Sequence, residues 1–146
     1  MADIAKTAAN VRLVDAVQAR TFPGIANAAL DAGTFVYYTS GKLAATDADD
    51  VATSECVGMV TQTVAADAPC TVLYDGMVAG FTLTDQDAGD PLFLSTTAGA
   101  IADAAPTATG DVVNPVARVI QSTHPTGQKL LLVQVVPQAL VAIPAP

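Results

Sequence analysis

The sequence predicts an all-β protein: a small β-barrel or β-sandwich built from two similar β-modules, with extended N- and C-terminal arms. Three observations carry this. Short runs rich in Val, Thr and large apolar residues recur along the chain, and Gly, Pro and Asp turn signals separate them. Helical periodicity is weak although the chain has 29 Ala, because Ala is mixed with Gly, Pro, Thr, Asp and Val. A segment opening on Asp-Ala-Gly occurs twice, at Asp31 and Asp87, 56 residues apart.

Taken in order, the strand candidates are residues 10–20, 34–39, 55–63, 70–74, 77–82, 91–95, 112–122 and 129–136. The first has partial apolar–polar alternation across Val11 to Val17. The last is nearly continuous, as a strand covered on both faces would be. Turns are expected at Pro23-Gly24, Ala32-Gly33, Ser40-Gly41, Asp75-Gly76, Ala88-Gly89, Gly99, Gly110 and Gly127, and a short helix of a turn or two at 24–30. Within the repeat, Val36-Tyr37-Tyr38-Thr39 aligns with Leu92-Phe93-Leu94-Ser95. Leu43 aligns with Ile101, Val57 to Val60 with Val116 to Val119, and Val72-Leu73-Tyr74 with Leu131-Leu132-Val133. Each copy reads strand, Gly turn, short strand, loop, strand, turn, strand. Gly33 and Gly89 supply the positive φ that launches the first strand, and Gly41 and Gly99 supply a tight hairpin. The loops at 44–54 and 102–111 are small and polar and are expected on the surface. Four strands cannot close a core alone, whereas two copies packed together can.

These observations divide the chain into an N-terminal arm (1–10), a single β domain (11–136, with the internal repeat at about 31–76 and 87–136) and a C-terminal arm (137–146). The first arm is small and polar; the second is apolar with three Pro. Neither is expected to bury itself in a domain of this size. The apolar arm is expected to rest on a partner subunit.

Composition removes several classes of function. A net charge of −8 with only six basic residues disfavours nucleic acid and anionic membranes as partners. The N-terminus lacks the basic and apolar regions of a secretory signal. No apolar run approaches the about 20 residues of a membrane-spanning helix. The chain is therefore expected to be made in the cytoplasm. Cys56 and Cys70 stand fourteen apart without a CxxC, and read as small buried hydrophobes.

Little in the chain suggests a reaction. The single His124 falls in a turn, and no GxSxG, Walker loop, GxGxxG or HExxH occurs. Acidic residues cluster at Asp47/Asp49/Asp50 and Asp85/Asp87/Asp90. The second cluster fails as a calcium loop: Gly falls at position five, and Thr96 stands where a bidentate Glu belongs. Aspartates that start turns are the expected role. No catalytic, cofactor-binding or metal-binding residue is assigned, no cofactor is expected, and the chain is read as not an enzyme. A glycan site would need exposed aromatics beside carboxylates. Tyr37, Tyr38, Tyr74 and Phe81 near Asp75 are the candidates, with core packing as the cheaper explanation.

The stretches AANVRLVDAVQARTFPGIANAALDAGTFVYYTSGKLA, CTVLYDGMVAGF and AGDPLFLSTTAGAIADAAPTATGDVVNPVARVI resemble small structural proteins of tailed bacteriophages, nearest to capsid decoration (cement) or head-fibre proteins. The resemblance spans Asn10 to Val136. It lies in a texture of strands and turns; Gly58 keeps the pattern's glycine and Ala117 replaces it in the second copy. It implies a virion protein on the capsid exterior, with the major capsid protein as partner and a homo-oligomer, favouring a trimer. Net negative charge suits a protein that stays soluble before it binds a shell. The alternatives are a head- or tail-fibre domain binding a host-surface glycan, or another tail or neck component.

Overall fold

The computed structural model describes residues 1–122 and 128–146. His124 and the expected turn at Gly127 lie outside the described residues. Ten strands form one curled, essentially antiparallel sheet: β1 (Arg12–Leu13), β2 (Arg20–Ile25), β3 (Phe35–Thr39), β4 (Lys42–Ala45), β5 (Gly58–Val60), β6 (Pro69–Ala79), β7 (Pro91–Leu94), β8 (Ile101–Ala102), β9 (Pro115–Gln121) and β10 (Lys129–Gln134). The all-β architecture is that expected of a barrel or sandwich. Proline marks strand starts: β6, β7 and β9 each begin on one, where the missing N–H costs no ladder bond. Pro23 sits within β2, which pairs with β6 along one side only.

Two sets of four strands pair in the same order, β4-β3-β5-β6 and β8-β7-β9-β10. Their registers correspond as well. Val36 faces Gly58 and Leu92 faces Ala117; Tyr38 faces Leu43 and Leu94 faces Ile101. Val60 faces Val72 and Val119 faces Leu131. The launching turns match too. Thr34 N–H donates to Asp31 O and Asp90 N–H to Asp87 O, each at 3.1 Å, while Gly33 and Gly89 take φ of +87° and +101°.

β6 belongs to both halves. Its first part lies between β2 and β5, for Leu73 faces both Thr21 and Met59. Its last part lies between β1 and β10, for Val78 faces both Leu13 and Leu131. The expected break at Asp75-Gly76 is therefore absent. The strand runs straight through because both edges of each half are paired, and Gly76 is the point where the partners change. A Cβ there would sit 3.3 Å from Ala19 and 2.9 Å from a Leu73 methyl.

Other elements differ from expectation for local reasons. The run at 10–20 is not one strand: the Asp15 carboxylate accepts the N–H groups of Val17 and Gln18 and turns the chain. The expected helix and turn at 23–30 give way to the end of β2, and Ala26 bridges Leu43 of β4, so the first half curls back on itself. The loop at 44–54 does not lie wholly on the surface. Thr46, Ala48 and Ser54 are buried, and Ala48 exchanges backbone bonds with Ser95 and Val112 of the second half (3.0 and 2.7 Å). Small side chains allow that crossing.

The N-terminal residues also enter the body. Ile4 is buried and its N–H donates to Ile101 O at 2.8 Å, while Thr7 N–H donates to Gly80 O at 2.9 Å. This segment bridges β8 to the end of β6 (Asp3 with Ala102, Lys6 with Phe81), supplying pairing that the polar composition concealed. Lys6 lays its stem over Gly33 and donates to Thr34 Oγ1 at 3.1 Å; burial lowers its pKa. Two cores result. Val36, Leu43, Val60 and Val72 fill the first curl. A larger one joins Phe35, Met59 and Leu73 of the first half to Leu92, Ile101, Val119 and Leu131 of the second.

Candidate functional site

Alternation along the strands positions a cleft at the open end of the first curl. On β3, β6 and β2 the residues Val36 and Tyr38, Val72 and Tyr74, and Phe22 share the concave face of the first curl. The aliphatic members close its floor. The aromatic members stand at its open end. Phe22 lies 6.4 Å from Tyr38 and 6.0 Å from Tyr74 between ring centroids, so it packs against both tyrosines. Tyr38 is 48% exposed.

The cleft has a volume of about 760 Å³. Arg20, Glu55, Asp75, Gln134 and Gln138 ring it with polar groups, and Pro137 and Leu140 of the C-terminal segment form one wall. Asn114 holds that wall in place. Its buried side chain donates to Ser54 O (2.8 Å) and accepts from Gln138 Nε2 (2.5 Å). Farther along, residues 110–111 and Ile143 exchange two backbone bonds of 2.9 and 2.7 Å. None of residues 137–146 is buried, and Val141 is 77% exposed.

Of the sequence-derived candidates, Tyr38, Tyr74 and Asp75 come together here. Tyr37 points to the opposite face of β3 and is half-buried. Phe81 lies across the molecule beside Ile4, Lys6 and Gly33, in a cavity of only about 80 Å³. Phe22, Glu55 and the glutamines were missed. Phe22 was legible: the 56-residue spacing carried upstream of Asp31 sets Phe22 against Val78. Glu55 and Gln138 reach the cleft through loop paths that no local pattern encodes.

The aspartates act in turns. Asp87 N–H donates to Asp90 Oδ2, Ala108 N–H to Asp111 Oδ2, and Asp50 Oδ1 accepts from Ala52 N–H. Burial raises the Asp47 carboxyl, with the Asp49 N–H opposing. Among the described residues no group of three His, Cys, Asp or Glu lies close enough to hold a metal ion. No described helix is long and apolar enough to cross a membrane.

The two cysteines are free: Cys70 is buried in the first curl and Cys56 partly lines the cleft. Burial pushes the Cys56 thiol up to about 12, so little of it is the reactive thiolate at pH 8. Alkylation of native protein by iodoacetamide at pH 8 is therefore expected to be far slower at Cys56 than in urea. Mass spectrometry would show this, and native labelling as fast as in urea would contradict it. Comparison with protein-family models, curated proteins and solved structures gives no match.

Proposed function

We propose that this chain is a structural protein of a tailed-bacteriophage virion that binds the outside of the assembled capsid, decorating or stabilising it. The observation that carries the reading is the C-terminal segment. It is an apolar strip laid along the outside of an acidic body, with Val136 63% and Val141 77% exposed, held by a few backbone bonds and the Gln138–Asn114 side-chain bond. Scattered exposed apolar residues need no explanation, but a contiguous apolar segment of this kind is suited to a partner surface. The resemblance of residues 10–136 to decoration and head-fibre proteins points the same way. Aspartates placed in turns keep the remaining surface charged, which favours solubility before assembly. The major capsid protein is the proposed partner and a homotrimer the proposed form.

The test is to add purified protein to capsids lacking it and image them by cryo-electron microscopy. Saturable density at lattice positions is expected. Deleting residues 137–146 is expected to weaken capsid binding while the circular-dichroism spectrum and cooperative unfolding persist, because no buried side chain is lost. A truncated protein that saturates capsids at full-length affinity would defeat the role of this segment. Absence of lattice density for the full-length chain would defeat the proposal itself.

A further inference from the structure

We propose that the aromatic cleft binds a neutral oligosaccharide. The two halves provide the comparison that leads there. In pairing register Phe22, Tyr38 and Tyr74 correspond to Val78, Leu94 and Val133. In the second half these positions are aliphatic and sealed, none more than 1% exposed. That is the solution for a strand set that only needs a packed core. In the first half the same three positions are all aromatic, and the curl stays open above them.

Open rings beside hydroxyl-binding groups match the two-sided chemistry of a sugar. The C–H face of a pyranose packs on an aromatic ring, and its hydroxyl edge bonds to carboxylates and amides. Glu55 and Asp75 supply acceptors; Gln134 and Gln138 supply both donors and acceptors. The volume falls within the roughly 300–1,000 Å³ of small-ligand clefts. Charge selects among sugars. Two carboxylates face one guanidinium, Arg20, on a chain of net charge −8, which disfavours sialylated, uronate or phosphorylated glycans.

The cleft shares the wall formed by Pro137, Gln138 and Leu140 with the segment proposed for capsid attachment, whereas Tyr38 and Tyr74 lie on β3 and β6, outside that segment. The full-length protein would be probed on a glycan array holding both neutral and acidic oligosaccharides, and the best neutral hit titrated by NMR. Binding of a neutral glycan is expected. Tyr38→Ala and Tyr74→Ala should each weaken it about tenfold or more. Tyr38→Phe, which keeps the ring, should retain most of it. Tyr38 is half exposed, so its variants should fold, and they should bind capsids as the parent does. The proposal falls if no neutral glycan binds, if acidic glycans are preferred, or if Tyr38→Ala leaves affinity unchanged. It also falls if Tyr38→Ala dissociates oligomers, which would make the cleft a seat for a second copy.

Discussion

Phe35→Ala is expected to lower the stability of the protein by about 4 kcal/mol, as large-to-small changes at sealed aromatic positions do. Phe35 is fully buried. It belongs to the core that joins both halves, with Met59 and Leu73 on one side and Leu92 and Leu94 on the other. Its backbone spans the junction too: its N–H donates to Gly99 O at 3.0 Å, and its carbonyl accepts Thr46 N–H at 2.9 Å. Truncation leaves a void between the two halves of the curled sheet that cannot collapse without breaking those bonds. Small domains have about 5–15 kcal/mol in total, so the variant should sit near the edge of folding at physiological temperature. Urea unfolding followed by circular dichroism checks this through the midpoint. A loss under about 1 kcal/mol would mean that the halves do not share the core.

Gly80→Ala is expected to cost about 3 kcal/mol or more and to release the N-terminal segment. Gly80 has φ of +102°, a conformation that L side chains resist. An added Cβ would lie 2.6 Å from Val11 N and 2.7 Å from Asn10 C and O. These are backbone atoms, so no rotamer change relieves the clash. The chain at 10–11 must move, and with it the bond from Thr7 N–H to Gly80 O and the bridge from Lys6 to Phe81. Hydrogen exchange should show the amides of Ile4 and Thr7 losing protection before those of β9 and β10. Gly41→Ala is the control. Gly41 has φ of +76° with nothing within 4 Å of the added atom, so only the backbone strain of about 1–2 kcal/mol applies. Equal losses for the two variants would show that the N-terminal packing against Gly80 contributes nothing.

Much of the scaffold is legible in the residues. Gly33 and Gly89 mark the strand-launching turns because the backbone there needs positive φ, and both adopt it. Val36, Leu43, Val60 and Val72 in one copy and Leu92, Ile101, Val119 and Leu131 in the other mark interior positions, and all eight are buried. Other features were misread because they depend on neighbours distant in sequence. Asp75-Gly76 has the composition of a hairpin turn, yet it continues a strand, since β2, β5, β10 and β1 supply partners along both edges of β6. Met1 to Asn10 lacks an apolar pattern, yet Ile4 is buried and the segment is seated by backbone pairing at Asp3, Ile4, Lys6 and Thr7 once β8 and the end of β6 offer open edges.

The candidate cleft divides in the same way. Tyr38, Tyr74 and Asp75 can be picked out of the sequence, because aromatics beside a carboxylate are scarce in this chain. Their separation from Tyr37 and Phe81 cannot, because it follows from which face of the sheet curls inward. Local physics acts over a few residues, so the sequence alone determined the all-β class, the two Asp-Ala-Gly turns and the strands that follow them. Long-range pairing decided the rest. It made β6 serve both halves, brought the loop at Ala48 and the segment at Ile4 into the body, and left one curl open and aromatic where its counterpart is closed and aliphatic. Only the sum of contacts from both halves determines which edges are satisfied and which cavity remains unfilled.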